Sequence, residues 1–414
     1  MAGEQGRQLP RLALLRELTD QHVLGRLLDG SALTRAEIAA RTGISKPTIS
    51  ESVRRLVEGG LLEEAGQQTG RRGPSGTYVR VRRAAASALA VSVGPDGVRV
   101  ERYDVTGEPV GHVERAVQVP TDAEQLAPVL TSAVRDALAG PGGPVGSIAV
   151  SVAGPVDQAT GRLVALPDSP FVLGELAPVE LLAPLVDVTP QVDNDVNWAA
   201  LAEHHEGAAR DLEEFFFVYL GPGIGAASVG GGVVRHGAGG LAGELAHVLT
   251  TGPDGRSTRL LAGLAAEGLL VPGSSALDVD RILAALAGAP DDDGLATRLA
   301  RAVAGALASV TALLNPRAVV LGGPWGLAPG FDAAVRVELD ALAVVPTELR
   351  RSALGDAAPL AGARVAAVRR LQEGLRAPSA ETGEQKSGPS DVSAARPALP
   401  TGTVSDPPIV LTSQ

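Results

Sequence analysis

Ile49, Val53 and Leu56 stand at i, i+4 and i+7, which puts all three on one side of a short helix. Ahead of them, Thr34-Arg35-Ala36-Glu37 fits a capping box, in which the Thr34 hydroxyl and the Glu37 carboxylate satisfy orphan N–H groups. A first helix is expected there, with Ile38 and Ala39 turned inward and Gly43 ending it. Ser45 caps the next helix, and Pro47 sits near its start, where a missing N–H costs nothing. Two helices joined by a tight glycine turn predict a helix-turn-helix. Leu61 to Glu64 and Thr77 to Val81 read as paired strands, a wing, with Gly66, Gly70, Arg71, Arg72, Gly73, Pro74 and Gly76 in the turn between them. Upstream, Leu12, Leu15, Leu18, Val23, Leu24, Leu27 and Leu28 predict a helical cover for the module's core.

From Ala88 the pattern becomes strands alternating with helices. Leu89 to Val93, Val98 to Tyr103 and a third strand after the Asp104–Gly107 turn form a meander, followed by a helix over Ala123–Leu138 and a strand over Ser147–Val152. The order recurs: Phe215 to Leu220 and Ala226 to Val229 flank Gly221-Pro222-Gly223-Ile224-Gly225, helices follow, and Ala318 to Leu321 runs into Gly322-Gly323. Two similar α/β halves with glycine loops at strand ends predict two lobes around a cleft, where ligands of open α/β sheets settle. From about Ala377 the chain is rich in Pro, Ser, Thr and Gly without periodicity and is expected to be disordered.

Charge sharpens this division. Residues 1–83 carry 14 Lys+Arg and 9 Asp+Glu, a net of +5, while the remainder carries 22 basic and 38 acidic residues, a net of −16. A basic head on an acidic body suits DNA, because the body's own field repels phosphate. Ser45, Lys46, Pro47, Thr48, Ser50, Glu51 and Arg54 are expected on the DNA side of the second helix, with Ser45 and Lys46 at the end that such helices point at base edges. Arg54 and Arg55 are expected to contact phosphates, and Arg71 and Arg72 to enter a minor groove. Glu51 is open to two readings, an acceptor for a cytosine amino group or a solvent-facing carboxylate. A winged helix used for protein contacts is the alternative for the whole module.

Composition excludes other classes. Aromatics make up 2% of 414 residues, so Ala, Val and Leu must fill the core. Without cysteine there is no disulfide framework and no thiolate metal site. The amino end lacks an apolar signal region, and no apolar run reads as long enough to span a bilayer, so a cytoplasmic protein is expected. Asp291-Asp292-Asp293-Gly294 reads as a bare acidic loop rather than a metal site.

The body resembles the ROK family (repressors, open reading frames and kinases), within the two-lobed actin/hexokinase-like, ribonuclease H-like fold. The residues that carry this are Val152 to Asp157, Val192 to Asn197, Gly221 to Gly225, Ala242 to His247, and Leu314-Asn315-Pro316 through Gly323, spread over about 88–370. The resemblance implies a winged helix-turn-helix over 8–83, lobes over 88–195 and 196–372, and a tail over 377–414. A winged helix ahead of this body is the domain order of the family's transcription factors. The resemblance places Asp195 where the kinases keep a general base. It places Asn194, Glu244 and His247 at sugar hydroxyls, Gly154 where backbone approaches the sugar, and Glu267 loosely at a further sugar-binding position. Standing alone, Asp195 reads as a helix-capping carboxylate, and Glu244 with His247 reads equally well as a polar pair at a helix start.

Two departures separate this chain from the family's kinases. Their Asp-x-Gly-Gly-Thr phosphate turn is replaced by Ser92-Val93-Gly94-Pro95-Asp96-Gly97, in which Pro95 removes an amide that could cradle phosphate. The family's zinc cysteines are missing from the stretch beginning at Gly255, and His247 alone cannot hold structural zinc. Gly223, Gly225, Gly322 and Gly323 are therefore expected to be structural or vestigial nucleotide turns, and Gly237, Gly239, Gly240 and Gly243 a mobile loop beside the cleft. The expectation is a non-enzymatic regulator, without cofactor or metal. It binds operator double-stranded DNA as a homo-oligomer, dimer or tetramer, and senses a sugar or sugar phosphate. The alternatives are a sugar kinase that kept a DNA-binding head, and a regulator whose pocket has lost its sugar.

Overall fold

A computed structural model of the protein describes residues 10–67, 76–94, 96–117, 122–164, 166, 176–288 and 294–377. The head comprises α1 (Pro10–Gly25), β1 (Leu33–Thr34), α2 (Arg35–Thr42), α3 (Lys46–Glu58), β2 (Leu62–Gln67) and β3 (Thr77–Val81), with its antiparallel strands in the order β1-β3-β2. The capping box forms as read: the Thr34 N–H donates to Glu37 Oε2 at 2.8 Å, and the Glu37 N–H donates to Thr34 Oγ1 at 3.3 Å. Gly43 closes α2 in the left-handed conformation, and Ser45 caps α3. Ile38, Ile49, Val53, Leu62 and Val79 make the core, covered by Val23, Leu24, Leu27 and Leu28. The upstream cover is shorter than the leucine pattern implied. Leu15 and Leu18 are exposed, because the amino half of α1 extends past the core, and the side chain of Leu12 lies outside the described set. The wing tip with Arg71 and Arg72, the Asp291–Asp293 cluster and the tail beyond Ala377 also lie outside the described residues.

The first lobe contains β4 (Ser87–Gly94), β5 (Gly97–Asp104), β6 (Pro109–Ala116), α4 (Ala123–Ala139), β7 (Val145–Val152), β8 (Val156–Asp157), β9 (Arg162–Leu163), α5 (Pro178–Leu182), β10 (Gln191–Asn194) and α6 (Asp195–His205). Its five-stranded sheet runs β10-β7-β4-β5-β6, an antiparallel meander at one side and parallel strands at the other. Leu126, Leu130 and Val134 of α4 pack with Val91, Val100 and Ile148 of the sheet.

The second lobe repeats the plan with β11 (Phe215–Leu220), β12 (Ile224–Gly230), β13 (Val233–Val234), β14 (Leu249–Thr251), β15 (Ser257–Arg259), α7 (Leu260–Ala266), α8 (Val279–Leu286), α9 (Leu295–Leu314), β16 (Ala318–Gly322), α10 (Phe331–Leu342), β17 (Glu348–Arg351) and α11 (Ala358–Arg376). Its sheet runs β13-β12-β11-β16-β17, again a meander joined to parallel strands. The sequence reading overlooked one apolar run. α9, at 20 residues, is long and apolar enough to cross a bilayer by length and composition. Here it packs into the lobe's core, where Leu299, Val303 and Leu307 are buried with Val319 and Leu321.

One boundary in the sequence reading needs correction. α11 follows the second lobe in the chain but packs on β4 and β7 of the first sheet and along α6. The approach is close enough that a Cβ on Gly362 would lie 1.8 Å from the Trp198 carbonyl oxygen. The second lobe therefore does not own everything from 196 to 372. Ala363, Ala367 and Leu371 of α11 join Ala88, Ala90 and the head's Val23, Leu24 and Ile38 in one continuous core. Arg83, between head and body, pairs with the buried Asp104 at the β5–β6 turn.

Candidate ligand cleft and nucleic-acid interface

Between the lobes lies a cleft of about 880 Å³ measured out to its mouth. Gly154, Asn194, Asp195, Glu244 and His247 converge on it, as do Gly223 and Gly225, with Leu261 and Ile224 among its apolar walls. Sheet topology explains the convergence: β7 and β10 run parallel, Val152 pairs with Asn194 at their carboxyl ends, and the residues just beyond open into the same crevice. Asn194 caps α6, its Oδ1 accepting from the Val196 N–H at 2.8 Å. Asp195 follows, and its own Oδ1 accepts from the same N–H at 2.9 Å.

The electrostatics suit a polyol. The Asp195 carboxyl group is enclosed by protein, and this desolvation pushes its pKa up to about 7, against the lowering by the backbone amides and helped by the charges of Asp193 and Glu244. Glu244 is pushed up by burial as well, with nearby His247 opposing the shift. Near neutrality the Asp195 carboxyl can donate as well as accept, which matches hydroxyls that do both. Tyr219, which the sequence reading did not single out, also lines the cleft, with its phenol raised mainly by burial. Its signal was a polar aromatic at the end of an otherwise apolar strand beside the glycine hairpin.

Three residues, Glu267 from the ligand set and Gly322 and Gly323 from the structural or vestigial turns, lie outside this cleft. Glu267 ends α7 and is held by Arg298 of α9, Nε–Oε1 2.6 Å and Nη2–Oε2 2.9 Å, away from this cleft. Gly322 and Gly323 do not line it either. A Cβ on Gly323 would lie 2.4 Å from the Leu220 carbonyl, so close packing of the strand end explains the pair. At the altered phosphate turn, Gly94 pairs with Gly97, and Asp96 Oδ1 folds back over Gly94 while Oδ2 lies 3.5 Å from Arg99 Nη2, so a carboxylate occupies the turn.

The segment from His236 to Gly243, which holds the glycines expected to form a mobile loop, lies as a strap from the second lobe against the first. His236 Nε2 lies 2.6 Å from Asp193 Oδ2, and a Cβ on Gly240 would fall 1.9 Å from the Val156 carbonyl oxygen. Asp193 also accepts from the Asn194 N–H and from Asn197 Nδ2, both at 2.7 Å.

On the head, Ser45, Lys46, Pro47, Thr48, Ser50, Glu51 and Arg54 are all exposed along α3, while Ile49, Ser52 and Val53 are buried behind them. Arg54 is paired with Glu51 and Glu58 on the same face. Arg55 does not join this face. It turns to α1, with Nη2–Oδ1 2.7 Å and Nε–Oδ2 3.1 Å to Asp20, because the position one residue past Arg54 is rotated toward the helix interface.

The description "ROK family" matches residues 90–370, and "MarR family" matches residues 19–73. The xylose repressor of Caldicellulosiruptor bescii is 23% identical over 239 residues, 56% of this chain and 59% of that one. The bifunctional enzyme NanE/NanK of Brucella melitensis is 33% identical over 203 residues, 47% of this chain and 37% of that one. The matched stretch thus spans little more than half the length of the repressor and about a third of the enzyme. A crystal structure of a ROK family transcriptional regulator, described as a homolog of the E. coli MLC protein, shares the fold at a TM-score of 0.63 and 18% identity, covering 87% of this chain and 98% of that one.

Proposed function

Because the chain belongs to the ROK family, we propose that it is a transcriptional regulator, a repressor that binds operator DNA through α3 and senses a sugar or sugar phosphate in the interlobe cleft. It works as a homo-oligomer in the cytoplasm, where its DNA is. The single observation that carries this reading is the free face of α3. Ser45, Lys46 and Ser50 are exposed at the end of a capped helix on a basic head whose core is continuous with α11. Among the described residues, nothing in the head's own packing requires that face.

The route from cleft to head is short. α6 begins at Asn194 and Asp195 in the cleft, α11 lies along α6, and α11 shares a core with α1 and α2. A ligand that prefers one lobe angle therefore shifts α11 and with it the spacing of two heads on a two-fold operator. It must bind one arrangement better than the other to do so. The test is retardation of the protein's own upstream DNA, with and without a panel of sugars and sugar phosphates. The reading requires binding by the full chain, loss of binding when residues 1–83 are removed, and a change in affinity with at least one sugar.

Asp195 favours a second reading, a sugar kinase with a DNA-binding head, since its raised pKa suits a general base. The Asp96 carboxylate over the altered turn argues against it. Sugar-dependent ATP consumption that Asp195→Asn abolishes would establish the kinase instead.

A further inference from the structure

A second cleft opens between the lobes on the other side of the strap, with about 1310 Å³ out to its mouth. It is bounded by the β8–β9 turn, the start of β10, the flank of α6 and the carboxyl half of α11, and His236 of the strap reaches into it. Its charge runs against that of the body. Among the described residues, Asp193 is the sole acidic residue lining it, and both Asp193 oxygens are already engaged, by His236 on one side and by Asn194 and Asn197 on the other. Facing it are Arg369 and Arg370, both exposed. Arg369 donates to His205 Nε2 at 2.7 Å, and an imidazole brings no negative charge to offset the guanidinium. Among the described residues, Arg370 has neither a hydrogen bond nor an ion pair. Gln191 also lines this cleft, with its Oε1 buried behind the surface and, among the described residues, without a hydrogen-bond partner.

We propose that this back cleft is a second ligand site, built for a small phosphate ester. The guanidiniums of Arg369 and Arg370 take the phosphate, which they match in charge and fork geometry. A neutral sugar would leave two guanidiniums unmatched, and a nucleic acid strand would meet the negative field of the body. The site shares two elements with the front cleft. The strap lines the back with His236 and the front with Gly240, and β10 turns Asp193 to the back while Asn194 opens to the front. Occupancy of the back therefore bears on lobe angle through the same pieces that the front ligand touches.

The experiment uses the full chain with glycerol 3-phosphate and glycerol as probes, read by calorimetric titration and thermal shift. Glycerol 3-phosphate is expected to bind saturably and raise Tm, with no effect of glycerol. Arg370→Ala is expected to weaken binding about tenfold or more while leaving the unliganded Tm unchanged, since the side chain has no protein partner. Asp195→Asn is expected to leave binding unchanged. Three results overturn the proposal: no saturable binding, equal binding by Arg370→Ala, which would put the anion elsewhere such as on the basic head, or loss of binding in Asp195→Asn, which would put it in the front cleft.

Discussion

His236 Nε2 sits 2.6 Å from Asp193 Oδ2, joining a strap of the second lobe to the last strand of the first. The hydrogen bond to Asp193 holds the imidazole's pKa above its ordinary 6.5 against partial desolvation. A pKa raised by folding favours the protonated form. The bond's contribution is therefore complete below about pH 6.5 and fades as pH rises through the higher folded value. For a partly exposed pair, roughly 1 kcal/mol is expected. Melting temperatures of wild type and His236→Gln should differ most on the acidic side and converge as pH rises through the raised folded pKa. A difference that grows with pH would contradict the pairing.

Asp195 shows the opposite consequence for a buried acid. Its pKa is raised from 3.8 to about 7, so the folded state holds a proton that the unfolded chain releases. Stability is lost as pH climbs between those values and stays lost above them. Asp195→Asn removes the ionisation and should melt higher than wild type at about pH 8, with the advantage shrinking toward about pH 4. The same variant should lose affinity for any sugar bound in the front cleft, because a donating amide replaces one carboxyl oxygen.

Gly362 lets α11 touch the backbone of α6 at Trp198. Gly362→Ala has no room, and the helices must separate. A loss of about 3 kcal/mol or more is expected, seen as a lower urea midpoint, because overpacking against backbone cannot relax by a rotamer change. Since α11 also carries the head's core, the head and body transitions should both shift.

Glu203 is fully buried on α6 and, among the described residues, has no cationic partner. Its carboxylate instead accepts from the Ala208, Ala353 and Leu354 N–H groups at 2.6, 3.0 and 3.0 Å, and from the Ser352 hydroxyl. These hold the peptide through which the chain leaves β17 for α11. Glu203→Gln turns one acceptor into a donor facing donors and should cost about 2–3 kcal/mol in chemical denaturation.

Lys46 and Arg55 lie on the same helix with different work. Lys46→Ala should leave Tm unchanged and lower both operator affinity and its salt slope, the latter by about one. Arg55→Ala should lower Tm, since it strips Asp20 of its cationic partner across the head's interface and leaves only the Ser52 hydroxyl. Its effect on DNA should follow the loss of folded head. Equal behaviour of the two variants in melting would overturn this division.

Local chemistry made much of the molecule legible. Thr34, Glu37, Gly43, Ser45 and Pro47 each act within a few residues of themselves, so the head's helices and caps could be read from spacing alone. Asn194, Asp195, Glu244 and His247 were legible through their motif context, and they do share one cleft. The positions of Arg55 and Glu267 were not, because a charged side chain takes whichever partner the fold brings near, here Asp20 and Arg298, each more than thirty residues away in the chain.

The amino-acid order by itself determined the capped head, the alternation of strands and helices, the basic and acidic halves, and the family. All of these rest on interactions between neighbours or on summed charge. Only the tertiary structure decided that α11 returns to the first sheet and carries the head, that the strap clamps Asp193 through His236, and that Arg369 and Arg370 face a second cleft. Those facts depend on surfaces far apart in sequence meeting at close range, and close range is set by packing of the whole, as at Gly362 against Trp198.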